Sequence, residues 1–213
     1  TKETLILLII VVLLAAAVSI YAYPRVPEVI ATHWDNNDRV NGTMGRFWGL
    51  AVMPLMLLGL GVLLIAVPYI DPLRKNIETF KPYYYTFLVV FSLYMLYVHV
   101  LTVLINLGVP LALSQWLMPG MGLFIFYTGV LLQKAKRNFF IGIRTPWTLS
   151  SDTVWASTHR LGGWLFKAAG IITVLGVIFP SAAFVLMLAP LLLAAFIPMI
   201  YSYFAFRRES NIN

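Results

Sequence analysis

The sequence contains no cysteine, and only 11% of its 213 residues are Asp, Glu, Lys or Arg. The first absence excludes disulfides and thiolate chemistry. The second, with 61% hydrophobic residues and a mean hydropathy of +0.86, leaves too little polar surface for a soluble fold. Acidic residues are scarcest: none of the eight Asp and Glu lies deep within an apolar run. That argues against a pump driven by an acidic proton relay. H-E-x-x-H, G-x-S-x-G and paired aspartates within the apolar runs are also missing, so familiar hydrolase motifs are absent. The sequence shows no internal repeat and no low-complexity linker.

What dominates instead is six apolar runs: Thr4–Ala22, Phe47–Ile70, Tyr84–Asn106, Leu111–Gln133, Gly163–Phe179 and Ser181–Phe206. A helix of about 20 residues crosses roughly 30 Å of bilayer hydrocarbon, and each run meets or approaches that length. The expected fold is therefore an all-α integral membrane protein with six transmembrane helices, a single membrane domain over residues 1–213. The first run follows only Lys2 and Glu3, with no small-residue cleavage site before a soluble region, and reads as a retained helix.

Charge sets the orientation. With the N-terminus inside, the cytoplasmic side receives Lys2, Arg74, Lys75, Lys81, Lys134, Lys136, Arg137, Arg144, Arg160, Lys167, Arg207 and Arg208, which is 12 of the 15 basic residues. Only Arg25, Arg39 and Arg46 remain outside, as the positive-inside rule requires. Both termini are thus expected in the cytoplasm, in a cytoplasmic (cell) membrane. The net charge of +7 reflects cations at membrane edges, so anionic lipid headgroups are the expected partners rather than nucleic acid.

Two polar segments interrupt the apolar sequence. The external one spans residues 23–46. Pro24 and Pro27 stop the first helix, Glu28–Trp34 suits a short strand, Asp35-Asn36-Asn37-Asp38 suits a turn, and Asn41-Gly42 marks a second turn. A small extracellular hairpin-like loop follows, with Trp34, Phe47 and Trp48 at headgroup depth. His33, Asp35 and Asp38 match no strong metal-ligand template.

On the cytoplasmic side, Asp71-Pro72 resembles a helix start, and Ile70, Leu73, Ile77 and Phe80 share one face of an interfacial helix. The larger segment, residues 141–163, is a structured cytoplasmic loop between helices 4 and 5. Gly142 and Pro146 suggest an extended or re-entrant piece up to Trp147. Ser150 or Ser151 then caps a helix with Asp152 in its first turn. Trp155, Thr158, His159 and Gly162 share a face of that helix. Arg144 is placed to pair with Asp152, or to fork onto a phosphate or helix-end carbonyls.

Inside the bilayer, Ser92, Met95, His99, Thr102 and Asn106 form a stripe along the third helix. An ionisable residue there is a functional candidate, and an interhelical hydrogen bond is the structural alternative. His33, His99 and His159 are the only histidines. Three histidines plus water would suit catalytic zinc, but the topology separates them. Two-sided ligation of zinc by His33 and His99, with Asp35 or Asp38 as a third ligand, remains the metal-dependent alternative, with no cofactor and no catalytic residue as the main expectation. Pro54, Pro119 and Pro190 leave a small peptide or lipid transporter as a further alternative, because broken helices line transport sites.

Gly142, Arg144-Thr145, Thr148-Leu149-Ser150, Trp155, His159 and Gly162 together resemble the signature of the SdpI family of membrane immunity proteins. That signature is G-x-R-T-x-x-T, followed by a Trp and then a His or Asn four residues later. Pro27 to Arg46 is similar to the companion domain that commonly precedes it, with Asp35 where Asn is usual and Asn41-Gly42 in place of Asp-Gly. The resemblance divides the chain into a companion-like half, residues 1–110, and an SdpI-like half, residues 111–213. It implies immunity to a secreted antimicrobial peptide toxin in a bacterium or archaeon. It also implies signalling through a small ArsR-like repressor held at the cytoplasmic face. The residues it marks for ligand or partner contact are Arg144, Thr145, Thr148, Ser150, Asp152, Trp155 and His159, with His33, Trp34 and His99 as further candidates.

Overall fold

The computed structural model describes residues 2–211, so the outermost residues of the expected domain lie outside it. The elements are α1 (Lys2–Ala22), a hairpin of β1 (Val29–Trp34) and β2 (Val40–Gly45), α2 (Arg46–Ile70), α3 (Arg74–Asn106), α4 (Leu113–Lys134), the short α5 (Pro146–Ser150), α6 (Asp152–Val174) and α7 (Ala183–Ser210). Among the described residues, six helices are long and apolar enough to cross a membrane: α1, α2, α3, α4, α6 and α7.

Helix α1 is apolar all round and buries only Leu8, Val11, Ala15 and Ala22, a stripe at steps of three, four and seven. Val12, Val18 and Ser19 are half-buried beside that stripe, and most of the remaining surface is exposed and apolar. Helices α4 and α6 pack more closely. Gly129 lies against Gly163 and Gly122 against Gly170, so that a Cβ on Gly129 would fall 2.5 Å from the Gly163 carbonyl oxygen. Small residues seven apart on both antiparallel helices let the backbones touch, a common way to gain packing where lipid offers no hydrophobic drive.

Prolines in α2 are satisfied from outside the helix. Pro54 and Pro68 lack an N–H and leave the carbonyls of Leu50 and Leu64 without their helical donors. Ser19 Oγ of α1 reaches the Leu50 oxygen at 2.8 Å, and the Tyr84 hydroxyl of α3 reaches the Leu64 oxygen at 2.7 Å. Both orphan acceptors thus become interhelical ties. Helix α2 runs unbroken through both prolines, as do α4 through Pro119 and α7 through Pro190.

Two helices start earlier than hydropathy suggests. Instead of a separate interfacial helix, α3 begins at Arg74 and continues through Pro82. Its Ile77, Phe80 and Tyr84 are buried in one cluster with Ile141 and Trp155. Helix α6 begins at Asp152, as the Ser151 cap and Asp152 suggest, well before the apolar run from Gly163, and passes through Gly162-Gly163 without interruption. The hairpin also differs in detail. Asn41-Gly42 is not a turn but part of β2, where an irregularity in register sets Gly42 opposite His33. A Cβ at Gly42 would stand 2.9 Å from the His33 Cβ, so this crossing needs glycine.

Candidate functional site

At the outer end the hairpin is fixed to the helix bundle at β1 and at its turn. The Asn106 side chain closing α3 copies a strand: its Oδ1 accepts from Ala31 N at 2.8 Å and its Nδ2 donates to Ala31 O at 2.9 Å. Asp38, in a left-handed conformation at φ 59°, accepts from Ser114 N and Ser114 Oγ, both at 2.7 Å. A carboxylate is thereby seated on the N-terminal turn of α4, where free N–H groups and the helix dipole favour negative charge. Asp35 closes the turn by accepting from Asn37 N at 2.8 Å and Arg39 N at 2.9 Å. Those backbone donors, Arg39 first, hold its carboxyl below the ordinary 3.8. His33 pairs through Nδ1 with the Asn41 side chain across the two strands, and Trp34 beside it is half-buried.

In mid-bundle, His99 is 1% exposed and its Nε2 lies 2.9 Å from Ser19 Oγ. The serine has one hydroxyl proton. The Leu50 carbonyl at 2.8 Å and the Ala15 carbonyl of its own helix at 3.0 Å both stand within reach of that proton, and with the His99 contact the hydroxyl links α1, α2 and α3. The interhelical hydrogen-bond partner of His99 is thus Ser19 of α1. His33, His99 and His159 occupy three separate settings, and no group of three His, Asp or Glu able to share a metal ion occurs among the described residues.

At the cytoplasmic end the signature folds on itself. Gly142 has φ 115°, and a Cβ there would fall 2.4 Å from His159 Nε2, so the position excludes other residues twice over. Ile143 N donates to His159 Nε2 at 2.9 Å, while His159 Nδ1 lies 2.9 Å from Trp155 O. Together these contacts select the neutral ring with its proton on Nδ1. The ring stacks on Trp155 at 4.0 Å between centroids, and the indole Nε1 donates to Ala135 O at 2.8 Å. Thr145 and Thr148 form a reciprocal capping box at the start of α5, with Pro146 in the first helical position. Thr148 also donates to Ile143 O at 2.8 Å, and Thr145 Oγ1 lies 3.0 Å from Ser202 Oγ of α7. Ser151, not Ser150, caps α6 by accepting from Val154 N. The buried Thr158 hydroxyl has no hydrogen-bond partner among the described residues.

The expected pairing of Arg144 with Asp152 is not made. Arg137 Nε stands 2.8 Å from Asp152, and its Nη1 donates to Leu149 O at 2.9 Å. The loop path explains the exchange: Arg137 leaves α4 directly beside the start of α6. Arg144 points away, exposed, and donates to the Phe139 carbonyl at 2.8 Å. That carbonyl lies in the loop after α4, not at a helix end, and only one guanidinium nitrogen reaches it.

Three positioning residues carried no sequence signal tied to this site. Asp71 is 2% exposed and accepts from Leu73 N at 2.6 Å and Phe139 N at 2.8 Å. Asn138, fully buried, accepts from Phe140 N and Ile141 N while donating to Lys136 O and Ile141 O. Asn76 donates to Arg137 O at 2.8 Å. The first cytoplasmic loop is therefore docked on the signature segment instead of lying separately on lipid.

Six apolar spanning helices, an outer hairpin tied to helix ends and a self-capped inner loop define a multi-pass integral membrane protein. Residues 134–202 match the SdpI/YfhL protein family, and residues 10–58 match a domain of unknown function, DUF1648. The chain is 29% identical over 196 residues to "Immunity protein SdpI" of Bacillus subtilis, covering 92% of each protein. It is thus similar over nearly its whole length to an SdpI immunity protein, and is a multi-pass protein of the bacterial cell membrane. No solved structure matches it significantly.

Proposed function

We propose that this protein protects its cell against a secreted antimicrobial peptide toxin. The observation that carries the reading is the near-full-length similarity to an immunity protein, 29% over 92% of both chains. The outer hairpin, with Trp34 and His33 on it, β1 fastened to α3 and its turn fastened to α4, is a preorganised surface for such a peptide. Preorganisation matters because ordering a loop on binding costs affinity. At the inner end, Thr145, Thr148, Trp155 and His159 hold the signature loop in shape, and Arg144, Ser150 and Asp152 are its outward-facing groups. We assign these three to protection itself and, further, to contact with a cytoplasmic partner, a small ArsR-like repressor held at the membrane when toxin is bound.

The test is capture of toxin and repressor. In proteoliposomes presenting the hairpin outward, labelled sporulation-delaying toxin peptide should bind saturably, and Trp34→Ala should weaken binding at least tenfold. Toxin should then increase recovery of the repressor with the wild type but not with Arg144→Ala. Absence of saturable peptide binding would refute the receptor reading, and its presence without repressor recovery would leave immunity without signalling.

A further inference from the structure

Between the last turn of α4 and the first turns of α6 lies a pocket of about 540 Å3 lined by Gln133, Lys134, Thr153, Ser157, Arg160 and Trp164, with Ala156 at its wall. Its lining cations are unopposed: no described lining residue is acidic, and Arg160 makes no hydrogen bond or ion pair among the described residues. The nearest carboxylate in sequence, Asp152, is held by Arg137. A third cation turns toward the same place. Lys167, deeper along α6, donates through Nζ to Gln133 Oε1, and its ammonium stands 4.8 Å from the Trp164 ring centroid. Gln133 and Trp164 both line the pocket, so Lys167 rises from the apolar zone toward its floor, as long cationic side chains do near helix ends.

Depth and chemistry agree. Thr153, Ser157, Arg160 and Trp164 form one stripe of α6, rising about 1.5 Å per residue from the cytoplasmic end. The pocket is therefore polar at its mouth and aromatic at its base. Trp164, 63% exposed, has the amphipathic ring favoured at the membrane interface. We propose that this pocket binds the headgroup phosphate of an anionic phospholipid of the inner leaflet. Lys134, Arg160 and Lys167 neutralise the phosphate, the Thr153 hydroxyl donates to it, and Trp164 meets the glycerol and upper acyl region. Basic pockets between spanning helices on the cytoplasmic side suit such headgroups. The site is independent of the toxin reading, because neither Arg144 nor the hairpin contributes to it.

The test uses the full chain purified in detergent and titrated with phosphatidylglycerol, cardiolipin or phosphatidylcholine. Retained lipid is counted by native mass spectrometry, and the unfolding midpoint is followed at each addition. The two anionic lipids should raise the midpoint saturably and phosphatidylcholine should not. Lys134→Gln/Arg160→Gln should unfold normally without lipid and lose affinity about fivefold per cation removed. Arg160→Gln alone, an exposed change, gives a milder second variant with about a fivefold loss. Arg207→Gln/Arg208→Gln, outside the pocket, should respond like the wild type. The proposal is overturned by an unchanged response in the pocket variants, by an equal loss in the Arg207/Arg208 variant, or by the same midpoint shift from inorganic phosphate alone.

Discussion

Ser19 Oγ lies 2.8 Å from the carbonyl oxygen of Leu50, the acceptor that Pro54 leaves without a helical donor. The same hydroxyl meets His99 Nε2 at 2.9 Å, so one small side chain completes both α2 and the buried histidine of α3. Ser19→Ala should cost about 1 kcal/mol in reversible unfolding, the usual scale of interhelical bonds in membranes. In a Pro54→Ala background the restored N–H serves Leu50, and the cost of Ser19→Ala should fall by about 0.5 kcal/mol or more. Strictly additive effects would show that the two residues do not share the Leu50 carbonyl.

Gly142 and His159 make a second pair that can be tested. Gly142→Ala combines a φ of 115° with a Cβ 2.4 Å from the imidazole, and strain of this kind costs about 1–3 kcal/mol. Faster tryptic cleavage at Arg144 should accompany the lower unfolding midpoint. Adding His159→Ala removes the collision but not the backbone strain, so the double variant should be less destabilised than the sum of the singles. A Gly142→Ala protein as stable as wild type would contradict the geometry.

Thr158 is fully buried and its hydroxyl is unpaired. Replacing an unsatisfied buried hydroxyl by a methyl of similar shape removes a desolvation cost of about 1–3 kcal/mol. Thr158→Val should therefore be as stable as the wild type or more so in thermal unfolding. Destabilisation by more than about 1 kcal/mol would reveal a hydrogen bond made by that hydroxyl.

Asp35 gives the hairpin turn a pH dependence of known sign. Its carboxyl is held below 3.8 in the folded turn by the Arg39 and Asn37 N–H groups. A depressed folded value means that the carboxylate's contribution is fully present above the ordinary value of 3.8 and is lost as pH falls through the folded one. After correction for intrinsic rates, amide exchange at Asn37 and Arg39 should be slow above pH 4 and accelerate below it. In Asp35→Ala, exchange at both amides should be fast throughout. Protection independent of pH in the wild type would exclude the carboxylate as the acceptor.

Much of this architecture is legible in the sequence, because lipid-facing helices announce themselves by hydropathy alone. Hydropathy does not show that the cytoplasmic first turns of α3 and α6 are continuous with their spanning parts, for a shared reason. Ile77, Phe80 and Tyr84 continue the buried face of α3 below Arg74 and Lys75, whose charges break the apolar run. On α6, Thr158 and His159 are polar residues buried within the bundle, which a hydropathy window reads as solvent. Ser151 as cap and Asp152 in the first turn are local features and can be read. The Arg137–Asp152 pair, the Asp71–Phe139 tie and the Asn138 turn depend on chain path and leave no spacing to find. Thr145, Thr148, Trp155 and His159 stand out in the sequence as candidate contacts, whereas in the fold each is engaged in shaping the loop that presents Arg144.

Arg144 is the decisive residue, since its replacement removes only the bond to the Phe139 carbonyl. The measurement is survival of toxin-sensitive Bacillus subtilis lacking its own SdpI, expressing this chain or its Arg144→Ala variant at matched membrane levels, under sporulation-delaying toxin. The wild type should restore growth, and Arg144→Ala should insert normally yet give at least a tenfold loss of protection. No protection by the wild type would contradict the immunity assignment, and full protection by Arg144→Ala would contradict the role given to the signature loop.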